Sequence, residues 1–310
     1  DAAMLSRMMV PEMERKGYNR AFAAAITAGG SLVTPIIPPG IALIIYGLVA
    51  DVSIGKMFIA GLVPGLLCAV VLMFTVYLVA RKTNAKPSRE SWPTCKEVVF
   101  SLGQAWPALF LIFAVVGGIR ANIFTPTEAG AVAVLIVLAI GFFIYREMRI
   151  SHVVKALGET ARATASVMLV IMASAALGWI FSMEHAGVAV ANFVTSLTEN
   201  KYMFLLIINI LLLTLGMFLE GNAILLILVP LLKPVVEHFG IDPVHFGIIM
   251  IFNLSIGAFT PPVGTVMLLV CNITQVSVGN FFKQSLPLLA ALLLMLMLVT
   301  YIPAISLFLV

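Results

Sequence analysis

Two pairs of adjacent prolines interrupt stretches that are otherwise apolar enough for the interior of a bilayer. No other feature of the chain restricts its fold as sharply. The stretches are "TPIIPPGIALIIYGLVADVSIGK" at Thr34–Lys56 and "TPPVGTVMLLVCNITQVSVGN" at Thr260–Asn280. Proline has no amide hydrogen to donate, and its ring collides with the preceding helical turn. Each backbone group freed in hydrocarbon costs several kcal/mol unless something satisfies it. Irregular backbone survives at that depth only when packed against protein or lining a polar cavity. The two breaks are therefore expected to face each other.

Composition supplies the membrane. Of 310 residues, 62% are hydrophobic and only 10% charged, with a mean hydropathy of +1.12. Soluble domains carry about 25% charged residues. Each crossing takes about 20 apolar residues, which leaves room for on the order of ten membrane segments in an all-α polytopic protein. The net charge of +4 comes from basic residues scattered at helix ends, so it is no footprint for nucleic acid. Cys68, Cys95 and Cys271 lie far apart and indicate neither a disulfide framework nor a metal site. A membrane-embedded enzyme would need a nucleophile or metal constellation, and the sequence holds no HExxH, no GxSxG and no Cys/His cluster. A purely structural subunit would give no reason for two broken helices.

Hydropathy and punctuation predict helices at 2–16, ended by Gly17, and at 21–33, with a half-helix from 40 to about 50. An amphipathic piece at 53–60 leads to a span at 62–80, and a polar, basic loop covers 81–97. Spans follow at 104–119, 126–145 and 163–182, the last preceded by an amphipathic linker at 150–162. A shorter helix at 186–198 precedes a hairpin of 202–219 and 221–238. The remainder is 243–258, the second break, 263–273, an amphipathic piece at 277–283 and a terminal span at 284–309. The amphipathic pieces are expected to lie in the interface plane.

The breaks belong to an internal repeat. An offset of 223 lays Pro38-Pro39 on Pro261-Pro262, Gly30 on Asn253 and Ala24 on Gly247. A slip of one residue brings "VSIGK" onto "VSVGN", and upstream Pro11 meets Pro230 and Asp1 meets Glu220. If 1–17 and 202–238 re-enter without crossing, fourteen of the eighteen Lys and Arg fall on the cytoplasmic side, leaving Lys56, Arg120, Lys201 and Lys233 outside. That bias follows the positive-inside rule, and the halves come out inverted. Inverted repeats with discontinuous helices build secondary transporters, with carbonyls and half-helix N-termini at the breaks forming the binding site.

Two blocks carry a resemblance to a known family. "VPEMERKGYNRAFAAAITAGGSLVTPIIPPGIALIIYGLVADVSIGKMFIAGLVPGLL" and "GMFLEGNAILLILVPLLKPVVEHFGIDPVHFGIIMIFNLSIGAFTPPVGTVMLLVC" resemble the large membrane subunit of tripartite ATP-independent periplasmic (TRAP) transporters, and the likeness extends over essentially the whole chain. It implies a multi-pass protein of the bacterial inner membrane with an ion-transporter-superfamily inverted repeat, re-entrant hairpins and an elevator motion. It further implies import of an organic acid anion, of the sialic acid or C4-dicarboxylate class, with Na⁺ as coupling ion and no other cofactor. The implied partners are a periplasmic substrate-binding protein and a small four-helix membrane subunit. The transport domain would take 1–60 and 183–283, and the scaffold 61–182 and 284–310. The mirror of helix 202–219 would precede Asp1, so about 20 residues of hairpin, and roughly a hundred in all with further spans, are expected ahead of this sequence. The nearest alternative is a stand-alone anion/Na⁺ symporter or Na⁺/H⁺ antiporter of the same superfamily.

By position in the resemblance, Na⁺ ligands would come from Gly30, Ser31, Val33 and Pro35 at the first break and from Gly221, Gly257 and Thr260 at the second. Small residues at helix contacts also serve plain close packing, so both readings stand for the glycines and prolines. The substrate cavity is expected to draw on Thr34, Pro38, Pro39, Glu220, Asn222, Asn253, Pro261 and Pro262. Glu220 follows the uncharged run 202–219, and an intramembrane carboxylate is a functional candidate by default. It is equally suited to bonding the amides of a helix N-terminus, and Asp1 would mirror it. Asn253 is expected to be a ligand or to line the cavity, Glu128 to be a first-turn capping acid, and His238 and His245 to be solvated loop residues. No lone Arg or Lys announces a clamp for a carboxylate.

Overall fold

The computed structural model describes residues 2–82, 94–121, 123–184 and 198–310, with 189, 192 and 196 as single positions. Regular structure among them is helical throughout. In chain order the helices are α1 (Ala2–Arg15), α2 (Arg20–Ser31), α3 (Ile41–Ala50), α4 (Ile54–Lys82), α5 (Cys95–Arg120), α6 (Pro126–Ala139, widening into a π turn at Ile140–Ile144) and α7 (Ile150–Met183). Then come α8 (Lys201–Phe218), α9 (Gly221–His238), α10 (Pro243–Phe259), α11 (Thr265–Thr274), α12 (Val278–Tyr301) and the single turn α13 (Ala304–Leu307). Among the described residues seven helices are long and apolar enough to cross a membrane, and α3, α10 and α11 are shorter apolar helices. The fold is that of an all-α polytopic membrane protein. The expectation for Asp1 and most of the expected helix at 186–198 lie outside the described residues.

The chain forms two compact bodies, Asp1–Ser88 with Ile180–Val310, and Arg89–Trp179. In the second, capping boxes start α5 and α6. The Thr94 amide donates to Glu97 Oε2 at 2.9 Å, and the Thr125 amide to Glu128 Oε2 at 2.7 Å. Glu128 is thus the capping acid its sequence position suggested. Trp106, Phe110, Phe113, Leu135 and Leu169 of this body are exposed, a surface that suits lipid rather than water.

The first body contains both breaks, and each is built to one plan. A helix (α2 or α10) runs into the proline break, a half-helix of 10 residues follows (α3 or α11), and a left-handed cap closes it, Asp51 at φ 58° or Gln275 at φ 55°. Val-Ser then leads into a long helix (α4 or α12). Pro38-Pro39 and Pro261-Pro262 are both cis. Packing between the halves is reciprocal: α1 lies on α11 while its counterpart α9 lies on α3, and α2 lies on α12 while its counterpart α10 lies on α4. The hydroxyl of Tyr46 on α3 adds a bond to the Pro243 carbonyl at 2.7 Å.

Three expected boundaries are absent. The pieces 53–60 and 62–80 form the single helix α4, 150–162 and 163–182 form α7, and 277–283 continues into α12, which stops at Tyr301 before Pro303. A change from amphipathic to apolar composition alters which surface a helix buries, not its backbone dihedrals, so none of these junctions needed a break. Pro64 and Pro287 are carried inside α4 and α12.

The most extensive helix pair is α8 with α10. A Cβ added to Gly257 would stand 2.7 Å from Gly216 Cα, so the two backbones approach as closely as glycine allows. Gly257→Ala should therefore cost about 1–3 kcal/mol through overpacking, read as a lower unfolding midpoint in detergent. Gly117→Ala, whose Cβ would meet nothing within 4 Å, should not lower the midpoint and should raise it slightly, because alanine is the better helix former.

Candidate functional site: a cavity between the proline breaks

Glu220 starts the site. It is the N-cap of α9, where its Oε2 accepts the Ala223 amide at 2.9 Å and its Oε1 accepts Asn222 Nδ2 at 2.8 Å. The capping role of this carboxylate is realised, and it holds the side chain at the hairpin tip. The tip is joined to the second break by the Gly264 amide, which donates to the Met217 carbonyl at 2.8 Å. Gly264 has φ +43°, and a Cβ there would lie 2.6 Å from the Thr260 carbonyl, so a side chain is excluded on both counts.

Tip and breaks together line an open cavity of about 180 Å³. Ser31, Leu32, Pro35 and Ala42 come from the first break, Glu220, Gly221, Asn222 and Leu225 from the hairpin, and Ile251, Leu254, Ser255, Ala258, Thr265 and Val266 from the second. Three helices begin at its wall: α3 near Ala42, α9 at Gly221 and α11 at Thr265. Their unpaired amides give this end of each helix a partial positive charge of about half an elementary unit. Most polar side chains in the wall are already engaged. Ser31 Oγ donates to the Ala28 carbonyl at 2.7 Å, Ser255 Oγ to the Ile251 carbonyl at 2.8 Å, and Asn222 to Glu220. The Thr265 hydroxyl, among the described residues, has no partner.

Of the residues singled out from the sequence, Ser31, Pro35, Glu220, Gly221 and Asn222 are brought together here. Thr34 and Pro39 are exposed and Pro38 is buried, none of them in this wall. Gly30 and Val33 face a separate, apolar cavity of about 570 Å³ among α2, α4 and α12, lined also by Ile26, Leu72 and Leu288. Their carbonyls cap the end of α2, Gly30 O accepting from Val33 N at 3.3 Å and Val33 O from Ile36 N at 3.1 Å. Gly257 packs against Gly216, and Thr260 donates its hydroxyl to the Ile256 carbonyl at 2.7 Å and its amide to the Gly257 carbonyl at 3.0 Å. Pro261 and Pro262 follow outside the wall. Ala42, Ser255 and Thr265 went unnoticed in the sequence because small and hydroxyl residues are unremarkable in apolar helices.

Asn253 lies elsewhere. It is fully buried, donating its Nδ2 to Asn209 Oδ1 at 2.6 Å, and its own Oδ1 has no partner. Asn209 in turn donates to Thr300 Oγ1 at 3.0 Å, and the Thr300 carbonyl lies 3.3 Å from His245 Nε2. Nδ1 of the same ring is 2.6 Å from the Ser306 hydroxyl. His245 is 2% exposed, which corrects its expected place in a solvated loop; His238 is exposed. Asp242 is the N-cap of α10, accepting the amides of Val244 at 2.8 Å and His245 at 3.1 Å, with Pro243 at the first helical position. Asp-Pro was thus a helix start, and it points His245 into the body. No group of three or more His, Cys, Asp and Glu lies together among the described residues. A cation at this site would have carbonyl and hydroxyl oxygens and the Glu220 carboxylate for ligands.

The sequence that builds the two proline-broken helices and the hairpin tip matches a known family. The family model described as tripartite ATP-independent periplasmic transporter, DctM component, matches residues 1–305. The chain belongs to this family. It is similar to the C4-dicarboxylate TRAP transporter large permease protein DctM of Pseudomonas aeruginosa, 39% identical over 98% of this chain and 71% of the relative. It is 38% identical to the sialic acid TRAP transporter large permease protein SiaM of Vibrio cholerae, over 100% of this chain and 72% of the relative. The 2,3-diketo-L-gulonate TRAP transporter large permease protein YiaN of Escherichia coli is 33% identical over 98% of this chain and 71% of the relative. A TRAP large permease is a multi-pass transport protein, and the helices described above are those of such a protein.

The buried amides give a measurable coupling. Asn209→Leu removes the acceptor of Asn253 Nδ2, leaving neither polar atom of that buried side chain bonded among the described residues, and should cost about 1–3 kcal/mol. Adding Asn253→Leu should recover part of that loss, because the two side chains share one bond. Unfolding midpoints of the single and double variants in detergent will show this, and strict additivity would sink the coupling.

Proposed function

We propose that this chain is the large permease subunit of a Na⁺-driven importer that takes an organic acid anion through the bacterial inner membrane. The observation that carries the reading is the cavity whose wall is shared by both proline breaks and the hairpin tip, with three helix N-termini at its edge. Backbone broken at mid-membrane leaves carbonyls for a cation and amides for an anion, which is the economy of secondary transporters. The substrate carboxylate would lie against the starts of α3 and α11, the Thr265 hydroxyl donating to it. Na⁺ would take oxygens at the ends of α2 and α10, the Pro35 carbonyl at the first break and the Gly257 carbonyl with the Thr260 hydroxyl at the second. That hydroxyl spends its hydrogen on Ile256 and keeps its lone pairs for a cation.

Reciprocal packing of α1 on α11 and α9 on α3 supports halves related by an inverted two-fold, with α8 and α9 as a re-entrant hairpin. The parts at 1–60 and 183–283 would move as the elevator car against a scaffold of 61–182 and 284–310, bringing the site to each side of the membrane in turn. A periplasmic binding protein would deliver the anion, and a small four-helix subunit would complete the permease, as the names of the relatives suggest for their own systems.

The test is uptake into proteoliposomes holding the full-length permease with its small subunit and cognate binding protein. Accumulation of labelled acid under an inward Na⁺ gradient, and none under an equal K⁺ gradient, is the expected result. Uptake without the binding protein would favour a stand-alone symporter. Thr260→Ala should raise the Na⁺ concentration for half-maximal uptake about tenfold, equivalent to the loss of about 1.4 kcal/mol, while an unchanged Na⁺ dependence would remove Thr260 from the ion site.

A further inference from the structure

In the second half of the repeat, α8 fills the groove between α10 and α12. Asn209 Oδ1 accepts Asn253 Nδ2 of α10 at 2.6 Å, and Asn209 Nδ2 donates to Thr300 Oγ1 of α12 at 3.0 Å. Near the start of α8, the Tyr301 hydroxyl donates to the Tyr202 carbonyl at 3.3 Å, and the two rings lie 6.1 Å apart. The equivalent groove of the first half lies between α2 and α4. The offset of 223 lays Gly30 on Asn253. The offset of 224 that pairs Val52-Ser53 with Val276-Ser277 lays Val76 on Thr300 and Tyr77 on Tyr301. Gly30, Val76 and Tyr77 all line one space, the apolar cavity of about 570 Å³. It is open where α8 stands in the other half. A Cβ on Gly30 would meet nothing within 4 Å, and Met73 and Tyr77 are 67% and 54% exposed.

We propose that this groove is the seat of an apolar helix encoded directly ahead of Asp1, docked on α2 and α4 by packing without side-chain hydrogen bonds. This rests on the repeat invoked for the transporter. Asp1 is laid on Glu220, and α8 runs directly into that residue, so the counterpart of α8 enters α1 at Asp1. The relatives have chain to supply it, since the matched part covers 71% and 72% of their lengths. Size fits a helix. The stripe from Ala69 to Tyr77 is about 12 Å long at ~1.5 Å per residue. A space of about 570 Å³ over that length has a cross-section of roughly 50 Å², about half that of a helix ~10–12 Å across. Chemistry sets the character of the occupant. Where α10 and α12 offer an amide and a hydroxyl, α2 and α4 offer Gly30 and Val76, among Ile26, Val33 and Leu72. A polar side chain at the counterpart of Asn209 would be buried without a partner, at a cost of about 1–3 kcal/mol. Close approach over a glycine and apolar contact are sufficient to hold helices together in a membrane.

The experiment uses the full-length permease with its small subunit, in membranes and free of other cysteines. Asn209 stands eleven residues before Glu220, so one cysteine is placed eleven residues ahead of Asp1, and a second replaces Val76. A short bis-maleimide should join the two, seen as a linked peptide pair by mass spectrometry of the digest. Phe74→Cys, which is exposed but outside the groove wall, should give no such pair. In single variants a lipid-soluble maleimide should label Phe74→Cys at least tenfold faster than Met73→Cys. Equal labelling without the linked pair would give the groove to lipid and overturn the proposal. Protection of Met73→Cys without the linked pair would give it to another part of the assembly and overturn it as well. The residue eleven positions ahead of Asp1 is expected to be apolar or small, and a residue of any other kind there counts against the seat. Na⁺-driven uptake by the same variants reads out separately. A missing link with uptake intact sinks the seat and leaves the transporter standing.

Discussion

A backbone group released from a helix inside hydrocarbon has to be bonded again, and the first body of this protein is arranged around two places where that happens. At the first, the end of α2 tightens into turns in which the carbonyls of Gly30 and Val33 accept the amides of Val33 and Ile36. At the second, help comes from outside the segment, the Gly264 amide reaching the Met217 carbonyl on the hairpin. That bond, with the glycine contact of Gly216 on Gly257, holds the hairpin tip beside the break. The cavity follows from it, since two interrupted helices and a tip cannot meet without leaving polar backbone ends around a space.

Two kinds of interaction divide the labour. Near the cavity, hydroxyls are mostly turned back onto their own helices, as in Ser31, Ser255 and Thr260. Farther from it, Asn253, Asn209, Thr300, His245 and Ser306 form a buried chain that ties α10 and α8 to α12 and the last turn. Buried amides leave few alternative packings, because each misplacement strands a polar group. The polar residues that fix the body and those that face the cavity are therefore largely different ones.

The breaks, the hairpin and the end of α1 at Gly17, which has φ +88°, were legible because proline and glycine act on the residues beside them. Glu220 was legible as a lone charge after an apolar run, and its cap is a local bond. His245 misled because Asp242-Pro243 suits both a loop and a helix start, and only α12 and Ser306, 61 residues on, make it a buried ring. Asn209 gave no signal, since its partner Thr300 is 91 residues away. Helix continuity through Gly61 and Pro64 was hidden for another reason. Hydropathy reports which surface is buried, and it was mistaken for a change of backbone. Gly30 and Val33 were placed at the right break, but a residue's place in the chain does not say which of two cavities it faces.

Reciprocal packing also has a consequence in time. The partner of α1 is α11 and the partner of α3 is α9, so each half is finished by an element encoded about 200 residues away. At a synthesis rate of about 5–20 residues per second, the first break waits on the order of 10–40 s in the membrane before its counterpart exists. During that interval its open polar face has only water, lipid headgroups or the insertion machinery for company. A fold whose halves are completed across such a distance must first be carried, half made, by something else.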